Sequence, residues 1–264
     1  MILIQNRFPS LSSMTLTKQQ KSLYITLLID VVLGMTFYFS SWYWYSLVEP
    51  VKRDFSILDP SISHKMQPNI LTWNMLQVLC YSINGVVIGA LSATNPFALA
   101  SFVSTFVFGN GLSQLVSSVV KTSTGRLRPD FLDRCKPDVN LVCQGDYKTI
   151  LDGRMSFPSG HGTLSGMSGI FLALALYSYL KPYKSTFLRS LRIIPIVIVI
   201  VLTVISGITR TVDRHHHPSD VAAGLILGGC IAAYCFWLHT EYQKLYRAHQ
   251  KEETPLLKSP ESDV

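Results

Sequence analysis

An all-α integral membrane bundle of six transmembrane helices is the fold that this sequence predicts, and three observations carry it. Of the 264 residues, 48% are hydrophobic and only 15% charged, against roughly 25% charged in a soluble globular domain. The mean hydropathy is +0.29. Six separate stretches are apolar over the length of about 20 residues that a bilayer core demands of a helix. The net charge of +7 could suit nucleic acid, but Lys and Arg scattered between apolar runs fit membrane topology instead. No nucleic-acid partner is expected.

The elements follow in order. A cytosolic leader, residues 1–22, includes the polar run "NRFPSLSSMTLTKQQKS" and precedes a first span at residues 23–45. That span is too long for the apolar region of a signal peptide and reads as a helix that also directs insertion. Trp42, Trp44 and several Tyr near its end resemble an interfacial aromatic belt. The second span covers residues 70–91 and the third 96–120, where "FGNGLSQLVSS" brings Ser, Asn and Gln into the apolar run. Polar residues inside a span face other helices rather than lipid. The fourth span is expected at 162–180, the fifth at 193–208 and the sixth at 221–238. "IIPIVIVIVLTVISGI" makes the fifth the most apolar of all. The membrane domain therefore occupies residues 23–240, and residues 241–264, ending "KEETPLLKSPESDV", are expected to form a disordered cytosolic tail.

Six spans place both termini on one side. Lys18 and Lys21, then Lys181, Lys184, Arg189 and Arg192, then Lys244, Arg247 and Lys251 collect there, which makes that side cytosolic by the positive-inside rule. The opposite loops also carry many cations, and these need another explanation. Among the cysteines, Cys80, Cys230 and Cys235 fall within spans as small apolar packing residues. Cys135 and Cys143 share the loop between the third and fourth spans, and pair there if that loop is luminal or extracellular. No CxxC spacing suggests zinc.

Three segments, within 121–161 and 209–220, carry chemistry. In "KTSTGRLRPD", Lys121 and Arg128 stand two helical turns apart, so a continuing helix projects both cations from one side. Arg126 beside them reads simply as a helix-end cation reaching for the interface. In "FPSGH", Ser159 can cap a helix while Gly160 lets a ligand approach the backbone. Free N–H groups and the positive end of the helix dipole then form a phosphate cradle with His161 at its lip. In "ITRTVDRHHHPSDV", Asp220 lies one turn beyond His216. A carboxylate so placed can take the imidazole Nδ1–H and leave Nε2 as a nucleophile. The run His215, His216, His217 also admits a metal-binding or solvated-loop reading, although no further ligand at regular spacing is evident. Lys121, Arg128 and Arg210 with the helix N-terminus suit a phosphoryl transition state, whose charge spreads over three equatorial oxygens. One histidine attacks; the other protonates the leaving oxygen.

Lys-x6-Arg-Pro over Lys121–Pro129, Pro-Ser-Gly-His over Pro158–His161 and Arg-x5-His-x3-Asp over Arg210–Asp220 together resemble the type 2 phosphatidic acid phosphatase superfamily. "GRLRPDFLDRC" looks like its eukaryotic lipid phosphate phosphatase branch. The resemblance implies a phosphatase needing no metal or other cofactor, with a phosphohistidine intermediate on His216. Asp220 would orient His216 and His161 would be the general acid. Lys121, Arg128, Ser159, Gly160 and Arg210 would hold phosphate. Two departures stand out: Thr209 where the family commonly has Ser, and Pro218 where an aromatic is common. Pro218 leaves His215 or His217 as possible sharers of the role. The expected substrate is a phospholipid in the bilayer: phosphatidate, lysophosphatidate, diacylglycerol pyrophosphate or a relative. A polyprenyl or sphingoid phosphate is the alternative. A transporter would show repeated, broken helices, and a non-enzymatic scaffold would have lost a histidine or a clamp cation. Neither is found. The site is expected on the luminal or extracellular face of an endomembrane or of the plasma membrane.

Overall fold

The structure, a computed structural model, describes residues 17–180, 190–191 and 193–253. Eight α-helices and one short 3-10 turn appear among the described residues, with no strands. The long helices are α1 (Lys18–Leu47), α2 (Trp73–Ser92), α3 (Pro96–Thr124), α6 (Gly160–Tyr179), α7 (Ile193–Val212) and α8 (Pro218–Glu253). Two short ones, α4 (Phe131–Cys135) and α5 (Tyr147–Gly153), lie in the connection from α3 to α6.

Helix starts follow from side chains that replace missing backbone partners. Thr17 makes a capping box with Gln20 at α1, and the Thr72 hydroxyl accepts from Met75 N at α2. Asn95 accepts from Ala98 N at α3, with Pro96 in the first turn, where its absent N–H costs nothing. Gly125 ends α3 at φ 57°, the left-handed conformation that closes a helix and that glycine adopts without strain. The chain then turns sharply into Arg126 and Arg128.

Five of the helices are long and apolar enough to cross a membrane: α1, α2, α3, α7 and α8. The sixth, α6, has 20 residues but falls outside that set. The difference is physical. α6 is the central helix, packed on α8, α7, α2 and α3, and nearly every residue from His161 to Leu176 is buried. A helix shielded from lipid has no need of a continuous aliphatic surface. Its seam with α8 is lined by Gly162, Gly166, Gly224 and Gly228. A Cβ on Gly166 would lie 2.7 Å from Leu225 O, and one on Gly228 would lie 2.1 Å from Thr163 O. Small residues let the two backbones approach, the usual device of membrane helix pairs. Below this seam, Phe102, Met167, Phe171, Cys235 and Phe236 form the bundle core.

Two expected boundaries change. The leader is already helical from Lys18, and the segment expected to open the tail, 241–253, continues α8 to Glu253. Residues 1–16 of the leader, the cations Lys181, Lys184, Arg189 and Arg192, and residues 254–264 lie outside the described residues. Of the span cysteines, Cys235 is buried and Cys80 half-buried, whereas Cys230 is exposed on the bundle surface, so it is not a packing residue. Cys135 and Cys143 form a disulfide.

Candidate active site

The last turns of α1, α3 and α7, the first turns of α2 and α6 and the loops that hold Arg128 and His216 meet around one cavity of about 390 Å³. Lys121, Arg128, Gly160, His161, Arg210 and His216 all line it. Segments about a hundred residues apart in the chain thus converge, although α3 ends at Thr124, so Arg128 reaches the cavity from the following loop and not from a continuing helix.

Each cation is held in place by its second contacts. Lys121 Nζ donates to Met155 O at 3.0 Å. Arg128 donates through Nε to Asp152 O at 2.9 Å and through Nη2 to Asp152 Oδ1 at 2.8 Å. Its Nη1 reaches His215 O at 3.1 Å and lies 3.4 Å from His216 Nε2. Arg210 Nη1 donates to Asp213 Oδ2 at 2.8 Å and to Asn69 Oδ1 at 2.9 Å, while its buried Nε has no partner among the described residues.

Three of the loop cations left unexplained by the positive-inside rule, Arg126, Arg128 and Arg134, pair with carboxylates around the cavity. Arg134 bridges Asp130 and Asp152, so Arg128, Asp152, Arg134 and Asp130 form an alternating chain of charge behind the cavity. Burial works against ionisation of Asp152, but Arg128 and Arg134 outweigh it and hold the carboxyl below the usual range. Arg126 is not a cation reaching for the interface: its Nη1 donates to Asp220 Oδ1 at 2.6 Å and to Ser219 Oγ at 2.8 Å.

The three neighbouring histidines are sorted by their surroundings. His215 Nδ1 lies 3.3 Å from Asp130 Oδ2, and His217 Nε2 lies 3.1 Å from Leu127 O. Only His216 lines the cavity. Arg210 O accepts from both His215 N and His216 N, so the end of α7 sets the direction of the loop. Burial first, then the charges of Arg128, Lys121 and Arg210, push His216 well below the ordinary imidazole range and keep it neutral.

The expected His216–Asp220 contact is longer than a hydrogen bond, with Nδ1 3.8 Å from Oδ2. Ser156 bridges it. Its Oγ lies 2.6 Å from Asp220 Oδ2 and 3.5 Å from His216 Nδ1. Pro218 opens α8, and the Asp220 carboxylate turns back to accept from His217 N at 3.0 Å, as a capping residue does. Asp220 O in turn accepts from Ser159 N at 2.9 Å.

Ser159 is therefore part of the scaffold. Its hydroxyl caps α6 by accepting from Gly162 N at 3.3 Å, and Ser159 does not line the cavity. Gly160 does, and a Cβ there would stand 3.6 Å from the Trp73 ring and 3.8 Å from Lys121 Cε, within the space a ligand would use. His161 stacks edge-on against Trp73, with ring centroids 5.4 Å apart, and its Nε2 lies 3.0 Å from Leu71 O.

Sequence reasoning missed Ser156, Asp152, Asn69 and Trp73. A lone serine or carboxylate in a loop carries no spacing signal, and only the fold brings these four to the motifs. The aromatic group on α1 does more than mark an interface: Trp44 Nε1 donates to Thr122 Oγ1 at 2.9 Å, and Tyr45 OH donates to Asp152 Oδ1 at 2.9 Å.

The class that this helical bundle and its cation-and-histidine cavity define is a membrane-embedded phosphatase. Residues 102–244 match the PAP2 superfamily, and the chain belongs to it. It is similar to phospholipid phosphatase 2 of Bos taurus, 30% identical over 239 residues that cover 80% of this chain and 82% of that protein. It is similar also to phospholipid phosphatase 2 of Homo sapiens, 30% identical over 70% of this chain and 72% of the relative. Against phospholipid phosphatase 1 of Rattus norvegicus the identity is 34%, over 57% of this chain and 56% of the rat protein's length. No solved structure is matched.

Proposed function

We propose that this membrane lipid phosphatase removes the terminal phosphate of phosphatidate, lysophosphatidate, diacylglycerol pyrophosphate or a related lipid through a phosphohistidine on His216. The observation that carries the reading is the single cavity shared by two histidines and three cations. The His216 Nε2 lone pair attacks phosphorus and an N–P bond forms. The P–O bond to the lipid breaks, and His161 gives its proton to the departing alcohol. Water then attacks phosphorus while His161 takes its proton, and inorganic phosphate leaves with His216 restored. Lys121, Arg128 and Arg210, with the Gly160 end of α6, stabilise the equatorial oxygens. Asp220, acting through Ser156, holds His216 Nδ1–H and stabilises the charge that develops on the ring. Ser159 positions Gly160 and His161 by capping α6.

Six spans, with α6 as the shielded fourth, would place both termini on the cytosolic side and the cavity at the luminal or extracellular end. The Cys135–Cys143 disulfide supports that orientation, because such bonds persist in oxidising compartments.

The test uses the purified full-length protein in detergent with ³²P-labelled phosphatidate. Hydrolysis should survive EDTA, and quenching in detergent at alkaline pH should trap an acid-labile, base-stable phosphoprotein that His216→Ala lacks. Activity restored only by Mg²⁺, or a trapped phosphoprotein retained in His216→Ala, would overturn the mechanism.

A further inference from the structure

A second cavity, of about 650 Å³, lies between the segment that precedes α2 and the turn that follows α7. His64, Lys65, Ile70, Val212, Asp213 and Arg214 line it, and none of these six lines the catalytic cavity. The Asn69–Leu71 segment separates the two: Ile70 lines the second cavity, whereas Asn69 Oδ1 and Leu71 O accept from Arg210 Nη1. Asp213 is the one carboxylate among the lining residues, and it is already engaged. Its Oδ2 accepts from Arg210 Nη1 at 2.8 Å and from Ile70 N at 3.3 Å. Lys65 and Arg214 are left without a counter-charge.

Both belong to the loop cations that the positive-inside rule does not explain. Unlike Arg126, Arg128 and Arg134, neither pairs with a carboxylate among the described residues. Arg214 donates through Nη1 to an imidazole nitrogen, His64 Nδ1. Lys65 has no polar partner among the described residues, although Asp133 Oδ2 is near enough to accept from Met66 N at 2.9 Å. Arg214 also adopts φ 57°, a left-handed conformation that glycine takes freely and that a side chain makes costly. The turn itself does not call for arginine, so the guanidinium is what this residue brings. Ile70 and Val212 are 57% and 61% exposed. They stand three residues before α2 and at the last residue of α7, where two membrane spans begin and end. Two unpaired cations thus share a cavity with apolar side chains at the membrane boundary.

We propose that this second cavity binds the headgroup of an anionic phospholipid that is not being hydrolysed, with its phosphate held between Lys65 and Arg214. Ammonium and guanidinium groups are the side chains that bind phosphate oxygens by charge-assisted hydrogen bonds. A soluble anion would use the cations alone. A phospholipid uses the whole cavity, since the carbons next to its phosphate pack against Ile70 and Val212 while its acyl chains stay in the bilayer.

The experiment incubates the purified full-length protein in detergent with equimolar dioleoyl phosphatidylglycerol and dioleoyl phosphatidylcholine, and native mass spectrometry counts the lipid retained. Phosphatidylglycerol carries a net negative charge and no phosphomonoester for the catalytic site to hydrolyse. It should be retained over phosphatidylcholine by about tenfold or more, and Lys65→Gln and Arg214→Gln should each lower that ratio roughly fivefold. Equal retention of the two lipids, or a ratio unmoved in the Lys65→Gln/Arg214→Gln double variant, would overturn the site. Displacement of the lipid by an equal concentration of glycerophosphoglycerol, the same headgroup without acyl chains, would overturn a lipid as the ligand. Either failure leaves the phosphatase reading intact. Should Arg214→Gln misfold, seen as a lowered unfolding temperature, the wild-type ratio and Lys65→Gln still decide.

Discussion

Two neighbouring helices, α6 and α7, use sequence in opposite ways. α7 is the most hydropathic span, and Ile193, Val197, Ile198 and Val201 are exposed on the bundle surface, where lipid would meet them. Its contribution to the site is confined to the last turn, where Arg210 enters the cavity and Arg210 O fixes the His215–His216 backbone. α6 is less apolar yet is buried along almost its whole length. It carries His161 and Gly160 at one end and Met167, Phe171 and Leu176 in the core. In a membrane, apolarity marks contact with lipid. Small and polar residues mark the helix that everything else packs around.

Substitutions along the two helices should break or sharpen this contrast. The largest effect belongs to His216, oriented by the end of α7. His216→Ala should lower phosphatidate turnover by roughly 10⁴-fold or more, as removal of a covalent nucleophile does, and near-normal turnover would remove it from the mechanism. Next comes His161 in the first turn of α6. His161→Ala should slow turnover roughly 10²-fold, the measure of lost general acid catalysis. A substrate with a better leaving group should recover most of that loss, which a merely structural role would not allow.

Deeper in α6, Gly166→Val forces a side chain against the Leu225 backbone. It should cost about 1–3 kcal/mol of stability as an overpacked interface, measured as a lowered midpoint of thermal unfolding in detergent. Ile198→Ala on the exposed face of α7 should stay within about 0.5 kcal/mol. Comparable losses at both positions would mean that α6 is no more central than α7.

The smallest effect is on the pH profile. His216 remains neutral in the folded protein, whereas the unfolded chain binds a proton there near pH 6.5. The unfolded state then holds more protons, so stability falls as pH drops below about 6.5. The unfolding temperature should decline from about pH 6.5 to 5, and His216→Gln should flatten that decline. An identical slope in the variant would show that His216 is not held neutral.

Much of this protein is written locally. Apolar runs of bilayer length locate the long helices, although α8 runs on to Glu253, well past the expected end of its span, because burial in lipid is a property of consecutive residues. Thr17, Thr72, Asn95 and Ser159 mark helix starts by capping, which acts within one turn. The candidate residues Lys121, Arg128, His161, Arg210 and His216 were legible because each stands at a fixed offset from a helix end, and the cavity gathers all five. Ser159 was legible as a cap, but not as a residue set behind the cavity.

The tertiary structure alone decided the rest. It set His216 on the cavity while His215 lies against Asp130 and His217 against Leu127 O, and it set Ser156 between His216 and Asp220. It turned Arg126 inward and assembled the Arg128–Asp152–Arg134–Asp130 chain. It also brought the segment before α2 against the turn after α7, so that Lys65 and Arg214 share a cavity. The reason is the reach of the forces involved. Hydropathy and capping act over one or two turns of a single helix, whereas a charge or hydroxyl acquires its role only from the groups that folding brings within a few ångströms of it.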